Sequence, residues 1–174
     1  MKKLLSIVLA ILILTGLFGF AASATRPFVH RPSSHGLIWP MPGFGQVSRG
    51  FWMYGGRMSS GVNISGPNMN GAGVVAVRDG VVESVTSFCR MGFGYQVVID
   101  HGGGMHTRYV HLMTGSVAVE PGQQVEMGQP IARVGIMRHA HAPQLHFQVL
   151  INGRPQNPLN FVHQSNGAQG PAIR

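Results

Sequence analysis

Residues 94–112 read Gly-Tyr-Gln-Val-Val-Ile-Asp-His-Gly-Gly-Gly-Met-His-Thr-Arg-Tyr-Val-His-Leu. Two runs rich in Val, Ile, Thr and Tyr, 95–100 and 105–111, flank a loop of three consecutive glycines, which is the composition of two strands joined by a tight connection. Moving outward, 73–78 and 80–86 on one side and 130–134 and 145–151 on the other have the same character. Arg78-Asp79-Gly80 and Asn152-Gly153 mark hairpin turns, because Asp-Gly and Asn-Gly accept the positive φ of two-residue loops. Turn residues recur about every ten positions and no segment sustains a helical period, so any helix is short. The pattern predicts an all-β fold of antiparallel strands, arranged as a sandwich or barrel-like sheet.

The 174-residue chain opens with Lys2 and Lys3 and an apolar run to Phe20. Ala22-Ser23-Ala24 follows, which suits signal peptidase cleavage before Thr25. An uncleaved membrane anchor is the competing reading, and both place the remainder outside the cytoplasm. We expect a signal peptide over 1–24, a Pro-, Ser- and His-rich leader over 25–37, one domain over 38–163 and a tail over 164–174. About 150 exported residues suit a single core. Cys89 is the only cysteine, so no disulfide closes within the chain, and stability must come from packing.

The formal net charge is +8. Both lysines lie in the expected signal peptide, so the exported basic charge is all arginine, set against Asp79, Glu83, Asp100, Glu120 and Glu126. Guanidinium groups favour carboxylates and phosphates. Export and the lack of clustered arginine runs argue against nucleic acid and leave anionic wall polymers, stem peptides and acidic protein surfaces as partners.

Six short segments occur in a fixed order. They are Ser59-Ser60-Gly61-Val62-Asn63, Val77-Arg78-Asp79-Gly80-Val81-Val82, residues 94–102, Tyr109-Val110-His111-Leu112, Val125-Glu126-Met127-Gly128-Gln129-Pro130-Ile131 and Pro143-Gln144-Leu145-His146-Phe147. In order and spacing they resemble the lysostaphin-type (LytM) zinc peptidases, over most of the stretch from Trp39 to Phe161. Taken alone, the second, third and fifth read as turns and core strands and carry no chemistry. The resemblance implies peptidoglycan as the target and an open groove across the sheet.

In that family the first segment reads H-x-G-x-D and the last contains H-x-H. The resemblance implies zinc held by the His and Asp of the first and the second His of the last, with two further histidines handling protons. By position this chain keeps His146 as a would-be ligand and His111 as a would-be catalytic residue. It carries Ser59, Asn63 and Gln144 where His, Asp and His belong. Zinc sites draw on imidazole, thiolate or carboxylate, and a serine hydroxyl and two neutral amides replace none of these. Gln144 cannot exchange a proton near neutrality, although it can still hydrogen-bond a peptide carbonyl.

We therefore expect no cofactor and a groove formed by Ser59, Asn63, His111, Gln144 and His146, with Arg57 and Arg138 flanking it. The plain alternative is that His111 and His146 are strand histidines satisfied by their neighbours. A second alternative is a zinc endopeptidase with relocated ligands, for which His139 and His141 are the candidates, since residues two apart on an extended segment face one side. The chain further resembles the degenerate LytM proteins of Gram-negative cell division, which implies a periplasmic or envelope protein. Its partners would then be peptidoglycan stem peptides or a cell-wall amidase, with membrane contact only through an uncleaved signal.

Overall fold

The computed structural model describes residues 35–51, 59–87, 94–136 and 142–162. Ten strands run through them: β1 (Gln46–Arg49), β2 (Val62–Ser65), β3 (Gly73–Val75), β4 (Gly80–Ser87), β5 (Tyr95–Asp100), β6 (Met105–Leu112), β7 (Gln124–Val125), β8 (Pro130–Arg133), β9 (Leu145–Ile151) and β10 (Arg154–Gln156). The one described helical element is a 3₁₀ turn, Pro158–Asn160. All pairings are antiparallel. The main sheet has the order β1-β2-β9-β6-β5-β4-β7, and β3 pairs with β8 in a second, two-stranded sheet.

The central strands lie where the Val- and Ile-rich runs predict them. The first motif segment adds a strand that its composition does not announce, β2, and β1, β7 and β10 are likewise short strands without a sustained apolar run. Asn152-Gly153 forms the expected hairpin: Ile151 pairs with Arg154, and φ is 49° at Asn152 and 74° at Gly153, the left-handed pair of a two-residue turn. Arg78-Asp79-Gly80 does not. The strand before it ends at Val75 and pairs with β8, while β4 pairs with β5 and β7, so the chain changes sheets there. The strand stops early because the Val77 N–H bonds the Tyr109 hydroxyl at 3.0 Å instead of a neighbouring strand.

Alternation across β5, β6 and β9 sets the two faces of the sheet. Val97, Ile99, Thr107, Tyr109, Leu145, Phe147 and Val149 point inward and are buried. The Tyr109 and Phe147 rings lie 5.4 Å apart, tilted 47°, an aromatic contact that contributes about 1 kcal/mol beyond burial. Leu37, Ile38, Trp39 and Met41 close the core, with the Ile38 N–H bonded to Val77 O at 2.9 Å. Leu37 has no exposed surface, so the packed domain includes this residue, which the composition had placed in the leader. At the other end Val162 is also buried.

The opposite face carries the even-numbered residues of β9 and β6, among them His146, Gln148 and Arg108. Two features shape it. Gly61 sits where a Cβ would strike the Phe147 carbonyl, so only glycine lets the approach to β2 lie so close to β9. At the end of β6 the register with β5 shifts between Tyr95 and Gln96, which leaves His111 as the extra residue of a bulge.

Candidate functional site

His111 has φ 71°, a left-handed conformation uncommon for a residue with a side chain. Strict alternation would send it inward with Tyr109. The bulge turns it instead toward the other face, where its ring centroid lies 6.0 Å from that of His146. The Gly135 N–H donates to His111 O at 2.9 Å, and Leu112 bridges to Val134, so the segment after β8 clamps the turn.

Registered pairing builds the rest. Arg49 opposes Asn63, Asn63 opposes His146, and His146 opposes Val110, so one row crosses four strands. Two residues along β9, Gln148 opposes Arg108. In this patch the His146 Nδ1–H donates to Asn63 Oδ1 at 2.6 Å, and Asn63 Nδ2 donates to Gln144 Oε1 at 3.0 Å. Gln148 Nε2 donates to His146 Nε2 at 2.9 Å and to Ser60 Oγ at 2.6 Å. Asn63 and Gln148 are buried and Ser60, Gln144 and His146 half-buried, so the network is closed to water on its inner side only.

Both ring nitrogens of His146 are thus engaged by neutral amides. Burial pushes its pKa down to about 4, with His111, Arg49 and Arg108 adding to the shift. The imidazole is neutral near pH 7. An unfolded histidine takes a proton near pH 6.5 and the folded one resists, so stability is full above that value and falls as the pH drops toward 4. The expected loss attributable to His146 is on the order of 3 kcal/mol at pH 4. Urea unfolding of the native chain and of His146→Gln across this range checks it: equal slopes in both would refute the assignment.

Ser59 lies apart from this network. Its hydroxyl donates to Gly61 O at 2.8 Å, and Ser60, not Ser59, reaches the His146 cluster through Gln148. Ser59 and Ser60 border a cavity of about 420 Å³ with Phe51, Gln156, Asn157 and Asn160, and among the described residues no charged one lines it. Arg57, Arg138, His139 and His141 fall outside the described residues. Composition did not single out Ser60, Gln148, Arg49 or Arg108. Gln148 was signalled by its place two residues after His146, on the same face, whereas Arg49 and Arg108 became visible only through pairing across strands.

The model of peptidase family M23 matches residues 57–158. The chain belongs to this family. Among relatives of the M23 domain, a lipoprotein NlpD/LppB homolog of Pseudomonas aeruginosa is 31% identical over 141 residues, covering 81% of this chain and 44% of the relative. The DD-carboxypeptidase/endopeptidase Mpg of Neisseria meningitidis is 34% identical over 106 residues, 61% of this chain and 23% of the relative. The solution structure of lysostaphin superposes with a TM-score of 0.59 at 26% identity, covering 74% of this chain and 56% of that one. The chain spans less than half the length of these two curated relatives. The likeness to lysostaphin agrees with the all-β, antiparallel architecture.

The M23 positions that resemble a zinc site present two imidazoles, one hydroxyl and two amides. Among the described residues no three His, Cys, Asp or Glu side chains converge as a ligand set. His146 would have to surrender an amide contact to bind a metal, and the residue beside it, Asn63, carries no charge to replace the family's carboxylate. This donor set does not fit a three-ligand zinc site.

Proposed function

We propose that this M23 domain acts without hydrolysis, as an envelope protein whose remnant groove docks wall peptide or a partner wall amidase and so regulates cleavage by another enzyme. The observation that carries the reading is His146 held at both nitrogens by the amides of Asn63 and Gln148. A zinc peptidase needs that imidazole as an electron-pair donor and a carboxylate beside it; here a closed run of amides takes their place. Gln144 suits recognition of peptide, since it is half-exposed and, with its oxygen taken by Asn63, can offer its N–H to a backbone carbonyl. Kinship with both an NlpD/LppB homolog and an endopeptidase leaves the fold compatible with either role, and the donor chemistry favours the regulator.

The test uses the protein recovered from the envelope of a producing bacterium. Its metal content is measured, and purified peptidoglycan is incubated with it alone, with candidate amidases alone, and with both. The expected result is retention on the wall polymer or on an amidase, no cleavage by the chain alone, and amidase rates raised on the order of tenfold. Stoichiometric zinc together with cleavage by the unaided chain would overturn the reading in favour of an endopeptidase with altered or relocated ligands.

A further inference from the structure

Arg108 stands out on the groove face. It lies across from Gln148 in register, and its charge is felt by His146, as is that of Arg49 at the end of the adjoining row. Its Nε is buried without a hydrogen-bond partner, and among the described residues it forms no ion pair. The carboxylates near it in sequence register, Asp100 and Glu83, lie instead 3.8 and 3.7 Å from His106. In the family's pattern position 63 is acidic; here it is the neutral Asn63. Among the described residues, Arg108 therefore borders a half-buried polar cluster that holds no carboxylate, with Arg49 at the end of the adjoining row.

A guanidinium that has no carboxylate partner attracts one, and its terminal amino groups can meet it through two parallel bonds. Arg108 as a whole is only half-buried, so its terminal amino groups, and not the enclosed Nε, are what a ligand at the groove face can meet. We infer that Arg108, supported by Arg49, forms a carboxylate-reading subsite of the groove, and that its ligand is a slender peptide with free carboxyl groups, the chemistry of an uncrosslinked wall stem peptide. The cavity beside Ser59 and Ser60, uncharged among the described residues, is of a size for one or two residues of such a chain. Gln148 and Ser60 join the two regions. This inference rests on the docking reading above and specifies what the groove distinguishes.

Calorimetric titration with synthetic alanyl-γ-glutamyl-diaminopimelyl-alanine, carboxyls free or all amidated, tests it. The native protein should bind the free form about tenfold tighter than the amidated form, with the difference shrinking as salt is raised. Arg108→Gln should abolish that preference while leaving the amidated peptide's affinity unchanged, and Arg108→Lys should retain part of it. Unfolding curves confirm that each variant is folded, and the lysine variant carries the test if the glutamine variant is not. Equal affinity of the native protein for both peptides, or an undiminished preference in folded Arg108→Gln, overturns the inference. Binding to whole peptidoglycan or to an amidase but not to the tetrapeptide overturns the carboxylate subsite and leaves the docking reading standing; binding to none of them overturns both.

Discussion

The combined substitution Ser59→His, Asn63→Asp and Gln144→His is expected to raise bound zinc to one ion per chain after dialysis. It supplies two imidazoles and a carboxylate: residue 63 already opposes residue 146 in the β2–β9 register with its side-chain oxygen 2.6 Å from His146 Nδ1, residue 144 is bonded to residue 63, and residue 59 is brought in by the family's pattern alone. His146 is neutral near pH 7, so no proton competes with the metal beyond the one shared between its two nitrogens. That remaining proton must then sit on the nitrogen facing away from the ion. Gln148 is placed to receive it if its amide turns so that oxygen replaces nitrogen, a supporting contact of the kind that fixes metal-binding histidines. Adding Gln148→Leu to the triple variant should weaken zinc binding by roughly 10–100-fold. Metal analysis and competition with a chelator measure both effects. A folded triple variant that dialyses free of zinc would show that these positions do not share one centre.

Gly61→Ala is expected to cost about 3 kcal/mol or more of stability, in a domain whose total is on the order of 5–15 kcal/mol. The added Cβ would meet the Phe147 carbonyl, lie 3.0 Å from its carbon and 2.8 Å from Gln148 Cγ. The first two are backbone atoms of a central strand and cannot rotate away. The chain entering β2 must move off β9, and with it goes the Asn63–His146 bond. Gly73→Ala in β3 is the control: an added Cβ meets nothing within 4 Å, and alanine there should be neutral or stabilising by up to about 1 kcal/mol. Denaturant midpoints of the two variants decide the matter. A Gly61→Ala protein within about 0.5 kcal/mol of native would mean that β2 and β9 are less closely apposed than the structure has them.

Much of this was legible in the chain. The runs around 95–100, 105–112 and 145–151 are strands because branched and aromatic residues dominate them between glycine and Asn-Gly punctuation. That signal is local, so it survives without knowledge of the fold. The identities at 59, 63 and 144 likewise fix the donor chemistry, since no folding can give an amide a carboxylate's charge.

Local pattern failed where distant strands decide the outcome. Asp79-Gly80 has hairpin chemistry, yet β3 and β4 join different sheets because the Val77 N–H is claimed by Tyr109 from β6. Alternation assigns His111 to the core, and only the bulge against β5 and the Gly135 clamp turn it toward His146. By itself the sequence determined the β architecture and the neutral character of the site. The tertiary structure alone decided that Gln148 and Ser60 complete the His146 network and that Arg49 and Arg108 border it, because strand register brings together residues that no separation along the chain relates.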